Sequence, residues 1–120
     1  MDNMEHKIIN SLLQLGISPS IKGFHYLINA ITLYINSNMS ISSFSGDIYP
    51  KIAEIYKTSS GSVERAVRHA INSGWSRHDP QFSSSIFGNS LCCESENPTN
   101  AVFISAVAEW IRLEMSNNSN

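Results

Sequence analysis

Apolar residues recur at helical spacing in six stretches of the chain, and no stretch shows the convincing two-residue alternation of a half-buried strand. Between Asn3 and Leu15, the positions Ile8, Ile9, Leu12 and Leu13 outline a short amphipathic helix. Gly16 ends it, a residue suited to the left-handed position after a helix. After Ser18-Pro19 comes the strongest stripe: Phe24, Leu27, Ile28, Ile31, Tyr34 and Ile35 lie three and four apart, with Ala30 beside them. A helix this apolar in a chain this short belongs at the centre of a core. Asn36 to Gly46 is rich in loop formers and tethered by Met39, Ile41 and Phe44, which predicts a loop with room for one helical turn.

Asp47 to Lys57 carries Pro50, harmless in a first helical turn, and continues with Ile52, Ala53, Ile55 and Tyr56 as a helix of two to three turns. The run Thr58-Ser59-Ser60-Gly61-Ser62 is a tight turn with several candidate caps for the next helix. That helix, Ser62 to about Asn72, sets Val63, Ala66, Val67, Ala70 and Ile71 on one face and Arg65, Arg68, His69 and Asn72 on the other. Two short helices across such a turn, about residues 48–73, form a helix-turn-helix pattern. The apolar face can be clamped by the body while guanidinium forks reach guanine edges and phosphates in a groove.

Gly74 to Pro80 is expected to close the helix, and Gln81 to Gly88 to form another short one with Phe82, Ile86 and Phe87 turned inward. Asn89 to Asn97 reads as a loop. Asn97 or Thr99 then caps a helix from about Asn100 to Met115, whose inward stripe is Phe103, Ala106, Val107 and Trp110 with Ile111 alongside, before a polar tail at 116–120. Trp75 and Trp110 are expected in or near the core. The fold class is all-α: a compact multi-helix domain containing a helix-turn-helix.

Length allows one core, since 120 residues is the size of one ordinary domain. With 42% apolar and 15% charged residues the chain can bury an interior. Asn29, Thr32, Ser105, Glu109 and Arg112 interrupt the longest apolar stretches, which excludes a membrane-spanning helix. The acidic start Met1-Asp2-Asn3-Met4-Glu5 lacks a secretory pattern, so a cytoplasmic protein is expected. The net charge of −2 hides an asymmetry: Lys51, Lys57, Arg65, Arg68 and Arg77 face only Glu54 and Glu64 in their segment, which is +3 while the remainder is −5.

Little else offers chemistry. Cys92 and Cys93 are adjacent and cannot staple the fold, and His6, His25, His69 and His78 are scattered, so neither a metal site nor a cofactor is expected. Either cysteine with a histidine and Glu94 or Glu96 would be the only nucleophilic set, with no elbow or phosphate loop to support it. The chain does not read as an enzyme.

The runs Ile21–Leu27, Tyr49-Pro50-Lys51-Ile52-Ala53, Val63–Ile71, Trp75-Ser76-Arg77, Phe87-Gly88, Pro98-Thr99-Asn100 and Arg112-Leu113-Glu114 closely resemble, in order and spacing, the C-terminal effector domain of the master sporulation response regulator of endospore-forming bacteria. The resemblance covers roughly Asn10 to Glu114. It implies a transcription regulator domain of a two-component system that binds double-stranded DNA, as tandem copies on repeated TGTCGAA-like boxes, and touches RNA polymerase. By this similarity Glu64 and Arg65 would lie at base edges, with Arg65 taking a guanine. Arg68 and His69 would meet phosphates, the N–H groups around Ser59 and Ser60 would cradle one, and Lys57 and Arg77 would flank.

At Ser62 the resembling domains carry a basic residue that reads a base, so one guanine contact, about 1 to 3 kcal/mol of discrimination, is expected to be missing. With an acidic body, weaker and more salt-sensitive binding follows. No residues here can form the phosphoacceptor receiver domain of full-length regulators, so an effector domain alone is expected, excised or encoded as such. The alternative is an interaction or dimerisation domain that has lost specific reading and modulates a full-length regulator.

Overall fold

The computed structural model describes residues 3–37, 44–88 and 97–118. Cys92, Cys93, Glu94 and Glu96, the tethers Met39 and Ile41, and the expected loop up to residue 96 lie outside the described residues. Six α-helices and no strand occur among those described: α1 (Asn3–Gln14), α2 (Lys22–Asn36), α3 (Tyr49–Tyr56), α4 (Ser60–Trp75), α5 (Pro80–Phe87) and α6 (Asn100–Asn118). The all-α class follows. One wider π-helical turn, Phe44–Ile48, leads into α3. No described helix is long and apolar enough to cross a membrane.

The stripe of α2 places this helix at the centre, where it packs on α1, α4 and α6. Phe24, Leu27, Ala30 and Ile31 are buried together with Ile8 and Leu12 of α1, Val67 and Ile71 of α4, and Phe103, Val107 and Ile111 of α6. Gly23 sets how close α4 comes. A Cβ there would lie 2.3 Å from the Ala66 carbonyl oxygen and 2.6 Å from the Ala70 Cβ, so the two helices touch backbone to backbone.

Gly16 has φ +87 and stands after α1 as its position requires. It also meets Gly74, whose carbonyl oxygen is 2.3 Å from where a Gly16 Cβ would be. α4 ends within the expected closing segment, at Trp75, three residues past the expected Asn72, with Gly74 buried in its last turn. A residue with no side chain is needed there for packing against Ile17, and an N–H···O ladder accepts glycine at a cost of about 1 kcal/mol.

Two further differences concern α6. The helix continues through Ser116 to Asn118, past the expected stop at Met115, because nothing in Ser-Asn-Asn forbids another turn. Its buried positions are Phe103, Ile104, Val107, Ala108 and Ile111, while Ala106 and Trp110 are only partly buried. The helix is apolar on several sides, so periodicity alone did not fix the phase of its inward face. Trp75 is buried, with the His78 ring stacked on it at 4.3 Å and Phe87 edge-on at 5.4 Å.

Candidate nucleic-acid interface

The turn between α3 and α4 is three residues, Lys57 to Ser59. Lys57 takes the left-handed conformation, φ 57 and ψ 52, with its N–H bonded to the Ala53 carbonyl. Thr58 N–H reaches the same oxygen at 2.9 Å, which ends α3 sharply. Ser59 is the N-cap of α4: its Oγ accepts from the Ser62 N–H at 3.1 Å. The helix therefore begins at Ser60, two residues earlier than the apolar pattern alone indicates. The cap uses the Ser62 N–H, and the N–H groups of Ser60 and Gly61 lie at the helix opening, where the helix offers them no acceptor.

Val63, Val67, Ala70 and Ile71 are fully buried, so α4 is held by that side and shows the other. Glu64, Arg65 and His69 are exposed on it. Arg65 curls toward the helix opening, its Nη2 3.4 Å from the Ser62 Oγ and its Nη1 3.2 Å from where a Gly61 Cβ would stand. Ser62 is itself engaged at the cap, its Oγ accepting from the Ser59 hydroxyl at 2.9 Å. A short hydroxyl engaged in the cap does not extend from the helix as a basic side chain would.

Arg68 differs from its neighbours. Its half-buried guanidinium donates through Nη2 to Asn72 Oδ1 at 2.6 Å and to the Pro98 carbonyl at 2.9 Å, and through Nη1 to Asn100 Oδ1 at 3.3 Å. Asn100 Nδ2 in turn donates to the Glu64 carbonyl at 3.2 Å and to the Tyr49 hydroxyl at 3.3 Å. Asn97 Nδ2 donates to Asn72 Oδ1 at 2.9 Å. Arg68 and Asn100 border a cleft of about 520 Å³ lined also by Phe44, Tyr49, Glu64, Arg65, Thr99 and Ala101. Burial pushes the Tyr49 phenol above the usual tyrosine range, and the Glu64 charge adds to this, against the opposing Asn100 hydrogen bond and Arg68 charge.

Arg77 lies at the other end of α4, about 24 Å from its first residue for sixteen residues of helix. Its Nη1 donates to the Ser73 carbonyl at 2.8 Å, closing the helix end. The expected set thus divides in space. Lys57, Ser59, Ser60, Ser62, Glu64 and Arg65 gather at the α3–α4 corner, His69 stands one to two turns on, Arg68 turns into the body, and Arg77 is remote. These contacts of Asn100, Asn97 and Pro98 carried no local signal in the sequence, because their partners are 25 to 51 residues away.

Among the described residues no three His, Cys, Asp or Glu side chains gather as a metal site. Six helices, a tight three-residue corner and a capped second helix with exposed Glu64 and Arg65 define an all-α helix-turn-helix domain. The model of the family described as sporulation initiation factor Spo0A C terminal matches residues 8–111. The chain belongs to that family, which is one of DNA-binding effector domains of sporulation regulators and not of enzymes.

Proposed function

We propose that this chain is a sequence-specific DNA-binding domain of a transcription regulator, acting in the cytoplasm, that lays the N-terminal half of α4 in the major groove. The observation that carries this reading is the exposed Glu64–Arg65 pair on the first turns of a helix whose opposite face is fully buried. A helix held in this way presents its N-terminal side chains to base edges. Arg65 takes a guanine through its fork and Glu64 accepts from a cytosine amino group. The open N–H groups around Ser59 and Ser60 receive a phosphate, and Lys57, His69 and, more remotely, Arg77 approach the flanking backbone. Ser62 adds capping and no guanine contact. The target is a repeated TGTCGAA-like box bound by two copies in tandem, with RNA polymerase as a further partner.

Fluorescence anisotropy of a duplex with two such boxes against a scrambled duplex, at two salt concentrations, tests the reading. The chain is expected to prefer the boxes. Arg65→Ala is expected to lose about 1 to 3 kcal/mol of preference at one box position and little on the scrambled duplex. Equal binding of the parent protein to both duplexes would instead make it an interaction domain that modulates a full-length regulator.

A further inference from the structure

Arg68 stands on the exposed side of α4 by periodicity, yet its guanidinium faces α6. Three acceptors meet it there: Asn72 Oδ1 on its own helix, the Pro98 carbonyl, and Asn100 Oδ1 at the first residue of α6. Pro98 is buried and Asn100 half-buried, so the bonds to these two residues are shielded from water more than those of a surface cation. Asn100 completes the joint by donating to the Glu64 carbonyl and the Tyr49 hydroxyl, which brings α3, α4 and the start of α6 to one amide. Asn97 closes the other side through Asn72.

We infer that Arg68 and Asn100 are positioning residues for DNA reading: they clamp the start of α6 to the middle of α4 and fix the pose in which Glu64 and Arg65 meet the groove, without touching DNA themselves. A planar fork with donors in fixed directions suits this task, and a lysine, which has no such fork, does not. The bond from Asn100 to the Glu64 carbonyl holds the backbone of a reading residue directly. The inference rests on the DNA-binding reading above for its functional half, and on the clamp geometry alone for its structural half.

The two halves are read separately. In the DNA-free protein, amide exchange at Phe103 and Ile104, the first bonded turn of α6, is compared for the parent, Arg68→Ala, Arg68→Lys and Asn100→Ala. About tenfold faster exchange is expected in all three variants. On the two-box duplex, at a temperature where circular dichroism shows each variant folded, all three are expected to bind about tenfold more weakly with the parent's salt slope, because no phosphate contact is lost. The double variant Arg68→Ala/Asn100→Ala should be no weaker than the weaker single one, since the residues act as one unit.

Parental exchange and parental affinity in Asn100→Ala overturn the inference, as does a salt slope lowered by about one in Arg68→Ala together with full affinity in Arg68→Lys, the pattern of a phosphate contact. Should Arg68→Ala fail to fold, Asn100→Ala, which removes only a half-exposed amide, decides. If the parent binds no DNA, the proposed function fails and the exchange data still decide whether the clamp exists.

Discussion

Burial holds the Tyr49 phenol protonated at a pH where an exposed tyrosine, with its usual value of 10.0, would begin to ionise. The folded chain therefore binds that proton more tightly than the unfolded chain, and stability is intact below pH 10 and falls as pH rises toward the raised folded value. Tyr49→Phe removes the group and should flatten this part of the alkaline decline in melting temperature between about pH 9.5 and 11, relative to the parent. Parallel declines in the two proteins would refute it. At this scale the sequence showed which residues are polar and exposed, but not where their side chains end. Arg65 and Arg68 are three apart on one helical face and look alike in sequence. Only the arrival of Pro98 and Asn100 from a distant segment separates Arg65, exposed along the helix opening, from Arg68, which faces the body.

Among the elements, the α2–α4 contact limits what the fold tolerates. On an exposed helix, replacing glycine by alanine adds about 1 kcal/mol of stability. At Gly23 the new methyl would meet the Ala66 carbonyl oxygen at 2.3 Å and could not be relieved by a side-chain rotation, since the obstacle is backbone. Gly23→Ala is expected to lower stability by about 1 to 3 kcal/mol, read as a lower urea midpoint with an unchanged m-value. A higher midpoint would sink this account. Element existence was legible because each helix repeats its apolar residues at the right period and Ser59 and Thr99 are good caps: Ser59 Oγ accepts from Ser62 N–H, and Thr99 Oγ1 accepts from Val102 N–H at 3.2 Å. The limits of α4 were legible only to two or three residues at each end, and the packing role of Gly74 shows only when the segment Leu15–Ile17 is laid against it. Ile55 shows the same limit in reverse. It fits an apolar helix pattern but is 58% exposed, for no described element covers most of its side chain.

For the whole molecule, charge sets the terms of binding. A net −2 body carries a +3 segment that supplies the α3–α4 corner, so attraction to DNA is local and not general. With Arg68 turned into the protein, the cations left for phosphates are few. Two to three phosphates neutralised per bound domain correspond to a slope of log affinity against log salt of about −2 to −3. This is shallower than the slope expected if Arg68 also met a phosphate. Titrations across a fourfold range of salt would measure it, and a slope steeper than about −5 per domain would show that more of the surface meets the backbone than the corner supplies.

The contact of Gly16 with Gly74 pins the rear of α4, some 20 Å of helix behind Ser60 by its rise per residue. A rod fixed at its tail is a lever. Turning it by about 5° about that pivot would sweep the forward tip through nearly 2 Å and the backbone at Arg65, about 14 Å ahead of Gly74, through about 1 Å. Precision at the tip thus depends on the rear as well as on the forward contacts with α2 and α6, because a missing methyl at Gly16 lets two backbone segments touch there.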